Sequence, residues 1–154
     1  MLSDIEIMKR ASVIKFNGAQ DFLLHSTSTM KEGGGINTEP YIKLGASVTS
    51  EELFKELMKV LNASKTGVSR PKDFDKSLKR YLNAVGLKDH EDLYRDSVCV
   101  TVVNRNGTIE FFPSRNEGMK GGFAIVPSDK VEISEKSSPD EITQALSSAF
   151  GKCR

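Results

Sequence analysis

Two cysteines and two histidines are the side chains best suited to nucleophilic or metal chemistry in this sequence: Cys99, Cys153, His25 and His90. A catalytic thiol needs a base beside it, and no spacing here places either histidine next to Cys99. Cys99 lies in an alternating strand pattern, where burial raises the pKa of a thiol and makes it inert. No CxxC or Cys/His spacing typical of zinc is present. We therefore expect no catalytic residue, no metal and no cofactor, and so no enzyme.

Paired carboxylates are the other route to catalysis, and Asp21 with Glu110 is a pair that a fold could bring together. A chain with 21 acidic residues contains many such pairs by chance. A hydrolase stays open as an alternative on this ground. A pocket carboxylate with a strongly raised pKa would support it.

Acidic residues are concentrated in the segment Asp89–Asp96, which also contains a tyrosine and an arginine. One interpretation is a helix face turned to solvent. The other is a negative surface that docks into a basic cleft, such as the active site of a nuclease. Tyrosine and arginine are favoured anchors of protein interfaces. The first candidate partner-binding residues are therefore Glu91, Asp92, Tyr94 and Arg95.

The glycine-rich segment Gly118–Gly122 invites comparison with a phosphate-binding loop. Such a loop must lead into a helix, whose N-terminal amides then converge on the anion. Here it leads into a strand pattern at Gly122–Val126, which excludes that motif and indicates a wide hairpin loop. Arg115 and Lys120 on this loop are the second group of candidate partner contacts.

A basic stretch, Ser64–Lys76, separates two helical patterns and contains Lys65, Arg70 and Lys72. These side chains could contact phosphates. The acids interspersed among them favour a solvated loop instead.

The 154 residues are sufficient for one domain, which we expect to span residues 1–154. The net charge of +1 lacks the basic excess typical of nucleic-acid binders. No apolar run reaches the roughly 18 residues of a membrane helix. The N-terminal segment, MLSDIEIMKR, has acidic residues where a signal peptide needs basic ones. We therefore expect a cytoplasmic protein.

A β-sheet must hold the candidate residues in place, because β-rich runs dominate the chain. Asn106-Gly107 between two such runs is the strongest hairpin signal. The predicted strands are Ser12–Phe16, Asp21–His25, Tyr41–Leu44, Val98–Val103, Thr108–Phe112, Gly122–Val126 and Lys130–Ser134. We expect Pro40 at the start of its strand and a mobile loop over Ser26–Asn37.

Helices are predicted from caps and apolar spacing. Thr49 begins a helix that runs through Leu61, and a second runs from Asp73 to about Val85. Asp89 begins a short helix to Arg95, and Ser138 with Pro139 begins the last helix. Runs of strands and runs of helices indicate an α+β fold. We expect an antiparallel sheet of about five to seven strands, with three to four helices packed mainly on one face.

Three segments together resemble the immunity proteins of contact-dependent growth inhibition systems, the CdiI class. They are SRPKDFDKSLKRYLNAVGLKDHEDLYRDSVCVTVV, IEFFPSRNEGMKGGFAIVP and PDEITQALSSAFGKCR, and they span a little over half the chain from about Ser69 onward. Members of the family often carry a large aromatic near the helical middle; here Tyr81 and Tyr94 are the nearest equivalents. The resemblance implies a non-enzymatic cytoplasmic protein that binds the C-terminal toxin domain of a cognate CdiA effector. Many such toxins are nucleases, and neutralisation covers the active site or blocks substrate access. It implies no membrane, no direct nucleic-acid contact and no obligate small molecule.

The alternative from another class is a small nucleic-acid-binding module. In that case Phe111, Phe112 and Phe123 would stack bases on the sheet beside basic loops. Exposed rings next to Arg and Lys would favour it, and buried rings would favour a core role.

Overall fold

The structure is a computed structural model and describes residues 8–154. The acidic segment at the N-terminus therefore lies largely outside the described residues. The strands are β1 (Met8–Phe16), β2 (Asp21–Met30), β3 (Gly35–Leu44), β4 (Thr66–Val68), β5 (Ser97–Arg105), β6 (Thr108–Asn116), β7 (Phe123–Ile125) and β8 (Val131–Ser134). The helices are α1 (Ser50–Asn62), α2 (Phe74–Ala84), α3 (His90–Tyr94), α4 (Gly118–Gly121) and α5 (Pro139–Gly151). The predicted α+β class is confirmed.

All eight strands form one sheet in the order β3-β2-β1-β5-β6-β7, with β8 also paired to β6 and β4 to β2. Its centre is the antiparallel pair β1 and β5, in register from Met8 opposite Arg105 to Phe16 opposite Ser97. Among the strands of residues 8–154, only the three-residue β4 pairs in parallel. The predicted antiparallel sheet is confirmed, and β4 is an additional strand that the sequence patterns did not predict.

The predicted hairpin at Asn106-Gly107 is confirmed and joins β5 to β6. Asn106 has φ of 52° and Gly107 has φ of 93°. Two consecutive left-handed residues give the turn whose twist matches the strands that it connects.

The prediction of a mobile loop over Ser26–Asn37 is wrong. β2 continues to Met30 and β3 begins at Gly35, so only residues 31–34 form a turn. Hydroxyls rather than apolar side chains line this part of the sheet: Ser28 Oγ lies 2.8 Å from Thr38 Oγ1 across the two strands. Because the Ser28 and Thr38 hydroxyls satisfy each other, β2 is buried at Ser28 without an apolar side chain there.

Pro40 lies inside β3 and not at its start, which corrects the prediction of a short strand from Tyr41. The register passes from His25 opposite Tyr41 to Ser26 opposite Thr38, so two residues of β3 bulge out. The peptide bond before Pro40 is cis. A bulge tolerates proline because its residues donate no ladder hydrogen bond.

Helices cover both faces of the sheet, in two layers of different size. The thirteen-residue helices α1 and α5 pack on the face that carries Val13. α2 and α3 pack on the other face, against Ile14 and Cys99. Adjacent strand residues point to opposite faces, so Val13 and Ile14 belong to different cores. The expected packing of helices on one face of the sheet holds for the two longest helices, α1 and α5. The smaller layer formed by α2 and α3 on the other face was not expected.

The predicted helix caps are confirmed. Thr49 Oγ1 accepts a hydrogen bond of 3.1 Å from the Glu52 amide, and Asp89 accepts one of 3.0 Å from the Asp92 amide. At α5, Ser138 and its third helical residue exchange two hydrogen bonds, a complete capping box. No helix among residues 8–154 has the length and apolarity needed to cross a membrane.

Candidate partner-binding surface

The short helix α3 is held to the sheet by one buried side chain. Leu93 is 6% exposed and belongs to the core on the α2 side. Because Leu93 faces inward, Glu91 and Arg95 are left exposed on the outer face. Tyr94 is half-buried, with its ring 4.9 Å from that of Phe123. Burial, and then the nearby Cys99, raise the pKa of the Tyr94 hydroxyl.

The glycine-rich segment contains one turn of helix, α4, which the prediction of a plain hairpin loop did not include. Gly122 donates a hydrogen bond of 2.7 Å to the Gly118 carbonyl, and Glu117 donates one of 2.8 Å to the Gly122 carbonyl. Gly118 and Gly122 have φ of 73° and 66°, values that only glycine adopts readily. The predicted strand does follow, as β7, and it pairs antiparallel with β6.

α3 and α4 lie against each other and enclose a surface cleft of about 440 Å³. Its lining residues are Glu91, Tyr94, Arg95, Glu117, Gly118, Met119 and Lys120. Four candidate residues from two separate segments, Glu91, Tyr94, Arg95 and Lys120, therefore meet in one place. We call these seven residues the α3–α4 surface.

The other two candidate residues lie beside the α3–α4 surface. Asp92 is bound to Arg95, with 2.8 Å between its Oδ1 and the guanidinium Nη1. Arg115, near the end of β6, lies 3.4 Å from the Glu117 carboxylate and does not line the cleft.

The charge of this surface is mixed rather than simply acidic. Arg95 lies 3.9 Å from Glu91 in addition to its contact with Asp92. These exposed pairs partly cancel the negative charge that the sequence suggested for α3. Lys120 forms no ion pair within residues 8–154. The surface can thus offer both a cation and carboxylates to a partner.

Met119 is an exposed residue of this surface that the sequence patterns did not indicate. Its side chain is 56% exposed at the tip of α4. It lines the α3–α4 cleft and also a neighbouring cleft of about 370 Å³, which is bounded by Leu78 and Leu82 of α2. The sequence does contain a signal for this exposure. Met119 is the one large apolar residue in the glycine-rich segment Gly118–Gly122, and a short turn of this kind offers little space to bury it.

The three phenylalanines of the nucleic-acid alternative are not displayed for stacking. Phe111 is fully buried in the core. Phe112 and Phe123 are half-buried, and Phe123 packs against Tyr94. Phe111 belongs to the core on the α1 side and Phe123 packs against the core on the α2 side, so these two rings are not free to stack on bases.

The fold does not tune the residues considered for catalysis toward that role. Burial raises the pKa of Cys99 to about 12, and burial lowers the pKa of His25 to about 4. The pKa of Glu110 is lowered, chiefly by a hydrogen bond from Lys130, which is the opposite of the shift that a general acid needs. Two strands, β1 and β5, lie between Asp21 on β2 and Glu110 on β6. Across residues 8–154, no three His, Cys, Asp or Glu side chains are grouped to hold a metal ion.

Comparison with known proteins gives a family for this arrangement. The family described as CDI immunity protein (CdiI) matches residues 20–153, most of the chain. This chain belongs to the CDI immunity protein family. A search of curated proteins gives no significant match.

Two solved structures share the fold of this CDI immunity protein. One is a protein of unknown function, NMB0488, from Neisseria meningitidis, with a TM-score of 0.78, 21% identity and coverage of 96% of both chains. The other is a CdiA-CT/CdiI toxin and immunity complex from Yersinia pseudotuberculosis, with a TM-score of 0.76 and 18% identity, covering 96% of this chain and 98% of that one.

Proposed function

We propose that this CDI immunity protein binds the C-terminal toxin domain of a cognate CdiA effector in the cytoplasm and neutralises it without catalysis. Family membership supports this proposal, as does the fold shared with an immunity protein in complex with its toxin. The chemistry points the same way, because the cysteine and histidine considered as catalysts are buried with pKa values that leave them inactive near neutral pH. Neutralisation is then a matter of surface contact alone.

The α3–α4 surface is the part of the molecule that we propose contacts the toxin. The observation that carries this is the meeting of Glu91, Tyr94, Arg95 and Lys120 in one cleft. Tyrosine and arginine supply much of the energy in protein interfaces, and exposed Met119 adds an apolar contact. A stable complex buries about 1,600 Å² in total, so the toxin would extend beyond this cleft to Asp92 and Arg115.

A nuclease is the toxin class that we propose. Glu91 and Asp92 place carboxylates on the outer face of α3. A nuclease active site is basic because it binds phosphates, and a carboxylate-bearing surface is attracted to it. Covering that cleft would exclude the nucleic-acid substrate.

A binding measurement with matched double variants tests the surface. Glu91→Ala with Arg95→Ala, which leaves the net charge unchanged, should weaken affinity for the purified toxin domain at least tenfold, as measured by calorimetry. The control is Glu51→Ala with Lys55→Ala, an equally spaced exposed pair of α1 on the opposite side of the sheet. Equal affinities for the two double variants would refute the assignment of this surface. Toxin activity on RNA and DNA, with and without the immunity protein, tests the nuclease proposal separately.

A further inference from the structure

Positive charge is unevenly distributed along this chain. Residues 65–80 contain six lysines and arginines and only two carboxylates, a net charge of +4, although the whole chain has a net charge of +1. The rest of the chain therefore has a net charge of −3. The six cations are Lys65, Arg70, Lys72, Lys76, Lys79 and Arg80. A basic segment of this kind attracts phosphate backbones, even where the total charge of the protein is low.

All six cations are exposed, and none forms a salt bridge with a described residue. The two carboxylates of the segment serve the start of α2 instead. Asp73 Oδ1 accepts a hydrogen bond of 3.1 Å from the Lys76 amide, and Asp75 lies in the first turn, where negative charge is favoured. The charge of the six side chains is therefore available to a partner.

Three of the cations lie together on the outer face of α2. Lys76 is three positions before Lys79 and four before Arg80, so the three side chains are neighbours, and no carboxylate follows Asp75 in the helix. Like charges at these spacings destabilise a helix, and an anion bound there would relieve the repulsion. The helix α1 intersperses its charges instead, in the order Glu51, Glu52, Lys55, Glu56 and Lys59.

An exposed aromatic ring lies among these cations. Phe74, the first residue of α2, is 44% exposed, and the Arg70 guanidinium carbon lies 4.8 Å from the centre of its ring. Aromatic rings and guanidinium planes are the surfaces on which unpaired bases stack. The segment thus combines a stacking surface with cations, and these are the two features of a binding site for single-stranded nucleic acid.

The fold brings the two ends of this segment together. Lys65 lies after α1 and Arg80 on α2, yet both line one cleft of about 510 Å³. This cleft adjoins a hollow of about 130 Å³ that Phe74 lines, since Tyr41 lines both spaces. Among the described residues, Glu39 is the one carboxylate that lines the larger cleft, against these two cations. We call the six cations and Phe74 the α2 basic surface.

We propose that the α2 basic surface binds single-stranded nucleic acid, with its cations against the phosphates and a base stacked at Phe74. A membrane fits less well, because a helix that enters lipid needs a free apolar face, and the apolar face of α2 is buried in the core through Tyr81 and Leu82. An acidic protein would need carboxylates placed to match cations spread over a loop and a helix. A flexible chain of phosphates can follow them instead.

This inference goes beyond the proposed function and does not depend on it. Neither the total charge nor the family resemblance suggests such a contact. The α2 basic surface shares no residue with the α3–α4 surface, so a toxin and a nucleic acid could be bound at the same time. A basic toxin domain would be repelled by the α2 basic surface and attracted to the carboxylates of α3.

Fluorescence anisotropy with labelled single-stranded RNA and DNA of about 20 nucleotides tests this inference. The unaltered protein should bind with a Kd below about 100 μM at low salt, and affinity should fall steeply as salt is added. Lys76→Glu with Arg80→Glu should weaken binding at least tenfold. The control is Lys55→Glu with Lys59→Glu, which makes the same change in net charge at the same spacing on exposed positions of α1. It should leave affinity within threefold.

The stacking contact has its own variant. Phe74→Ala should weaken binding at least fivefold and leave the dependence on salt unchanged, because it removes a ring and no charge. Far-UV circular dichroism should match that of the unaltered protein in each variant, since the substituted side chains are exposed. Unchanged affinity in Phe74→Ala would contradict the stacked base.

Several outcomes would overturn this inference. One is the absence of nucleic-acid binding by the unaltered protein, and another is an equal loss in the α1 control, which would show general attraction of charge. Tighter binding to vesicles of phosphatidylserine and phosphatidylcholine, lost in Lys76→Glu with Arg80→Glu, would assign the surface to a membrane instead. Loss of toxin binding in that variant, with nucleic-acid binding unchanged, would assign it to the toxin. The proposed function is tested separately, by binding of the toxin to the unaltered protein.

Discussion

The side-chain amide of Asn116 donates a hydrogen bond of 2.9 Å to the backbone carbonyl of Tyr94, which ties the end of β6 to the end of α3. The same Nδ2 donates a second bond of 2.9 Å to the Ser97 carbonyl. On its other side, Asn116 Oδ1 accepts a bond of 2.9 Å from the Gly118 amide, where α4 begins. One half-buried side chain therefore fixes α3 relative to α4, and with them the two halves of the α3–α4 surface.

Replacing this side chain should loosen the surface that it holds. Asn116→Ala removes three hydrogen bonds, each worth about 1 kcal/mol, and water will replace some of them. We expect the free energy of unfolding to fall by about 2 kcal/mol in urea titrations. Amide hydrogen exchange in α3 should accelerate more than in α1, because α3 loses its hydrogen bond to Asn116 and α1 makes none with that residue.

A second substitution at Asn116 distinguishes the hydrogen bonds that its side chain donates from the one that it accepts. Asn116→Asp keeps the acceptor for the Gly118 amide and loses the donor to Tyr94 and Ser97. It should release α3 as fully as alanine does. If exchange in α3 is unchanged in both variants, Asn116 does not couple the two elements.

Glu110 is a buried carboxylate on β6 that is held by two cations. Its oxygens lie 2.9 Å from Lys130 Nζ and 3.1 Å from Arg105 Nε. The hydrogen bond from Lys130 is the main cause of its lowered pKa, burial acts against it, and Arg105 adds to the lowering. Because the folded-state pKa is below the unfolded one, the stabilisation is present above the unfolded pKa and is lost as pH falls through the folded pKa.

Glu110→Gln should therefore lower the free energy of unfolding at pH 7 by about 2 kcal/mol, as expected for hydrogen bonds between charged groups. It should also make stability fall less steeply below the ordinary glutamate pKa. Glu132→Gln is the matched control, since Glu132 is exposed and contacts the same Lys130 at 2.7 Å. A loss as large in Glu132→Gln as in Glu110→Gln would contradict a special role for the buried carboxylate.

Local signals in the sequence predicted the elements well. The Asn106-Gly107 turn and the caps at Thr49, Asp89 and Ser138 are each determined by residues a few positions apart. Such signals depend on backbone conformation and nearby hydrogen bonds, which the amino-acid types specify directly.

Contacts between segments that are distant in the sequence could not be predicted from those local signals. The strands through Ser26–Asn37 are stabilised by hydroxyls facing each other across β2 and β3, and no single segment reveals that pairing. β4 exists only because residues 66–68 meet β2. The α3–α4 surface is intermediate: the sequence indicates four of its seven residues as candidates, but their meeting in one cleft depends on β5 and β6 bringing α3 beside α4.

The burial of His25 should make the protein less stable in mild acid. Burial lowers its pKa from 6.5 to about 4, against the opposing effect of the hydrogen bond from its Nδ1 to the Ser26 carbonyl. Between these pH values the unfolded chain binds a proton that the folded protein does not, so stability falls as pH falls from 6.5 toward 4, by about 3 kcal/mol in total. In urea titrations from pH 7.5 to pH 4.5, His25→Phe should lose this part of the pH dependence while keeping a ring against Tyr41 and Tyr81. His90→Gln, which removes the other histidine, should keep it, and an undiminished slope in His25→Phe would show that the acid sensitivity arises elsewhere.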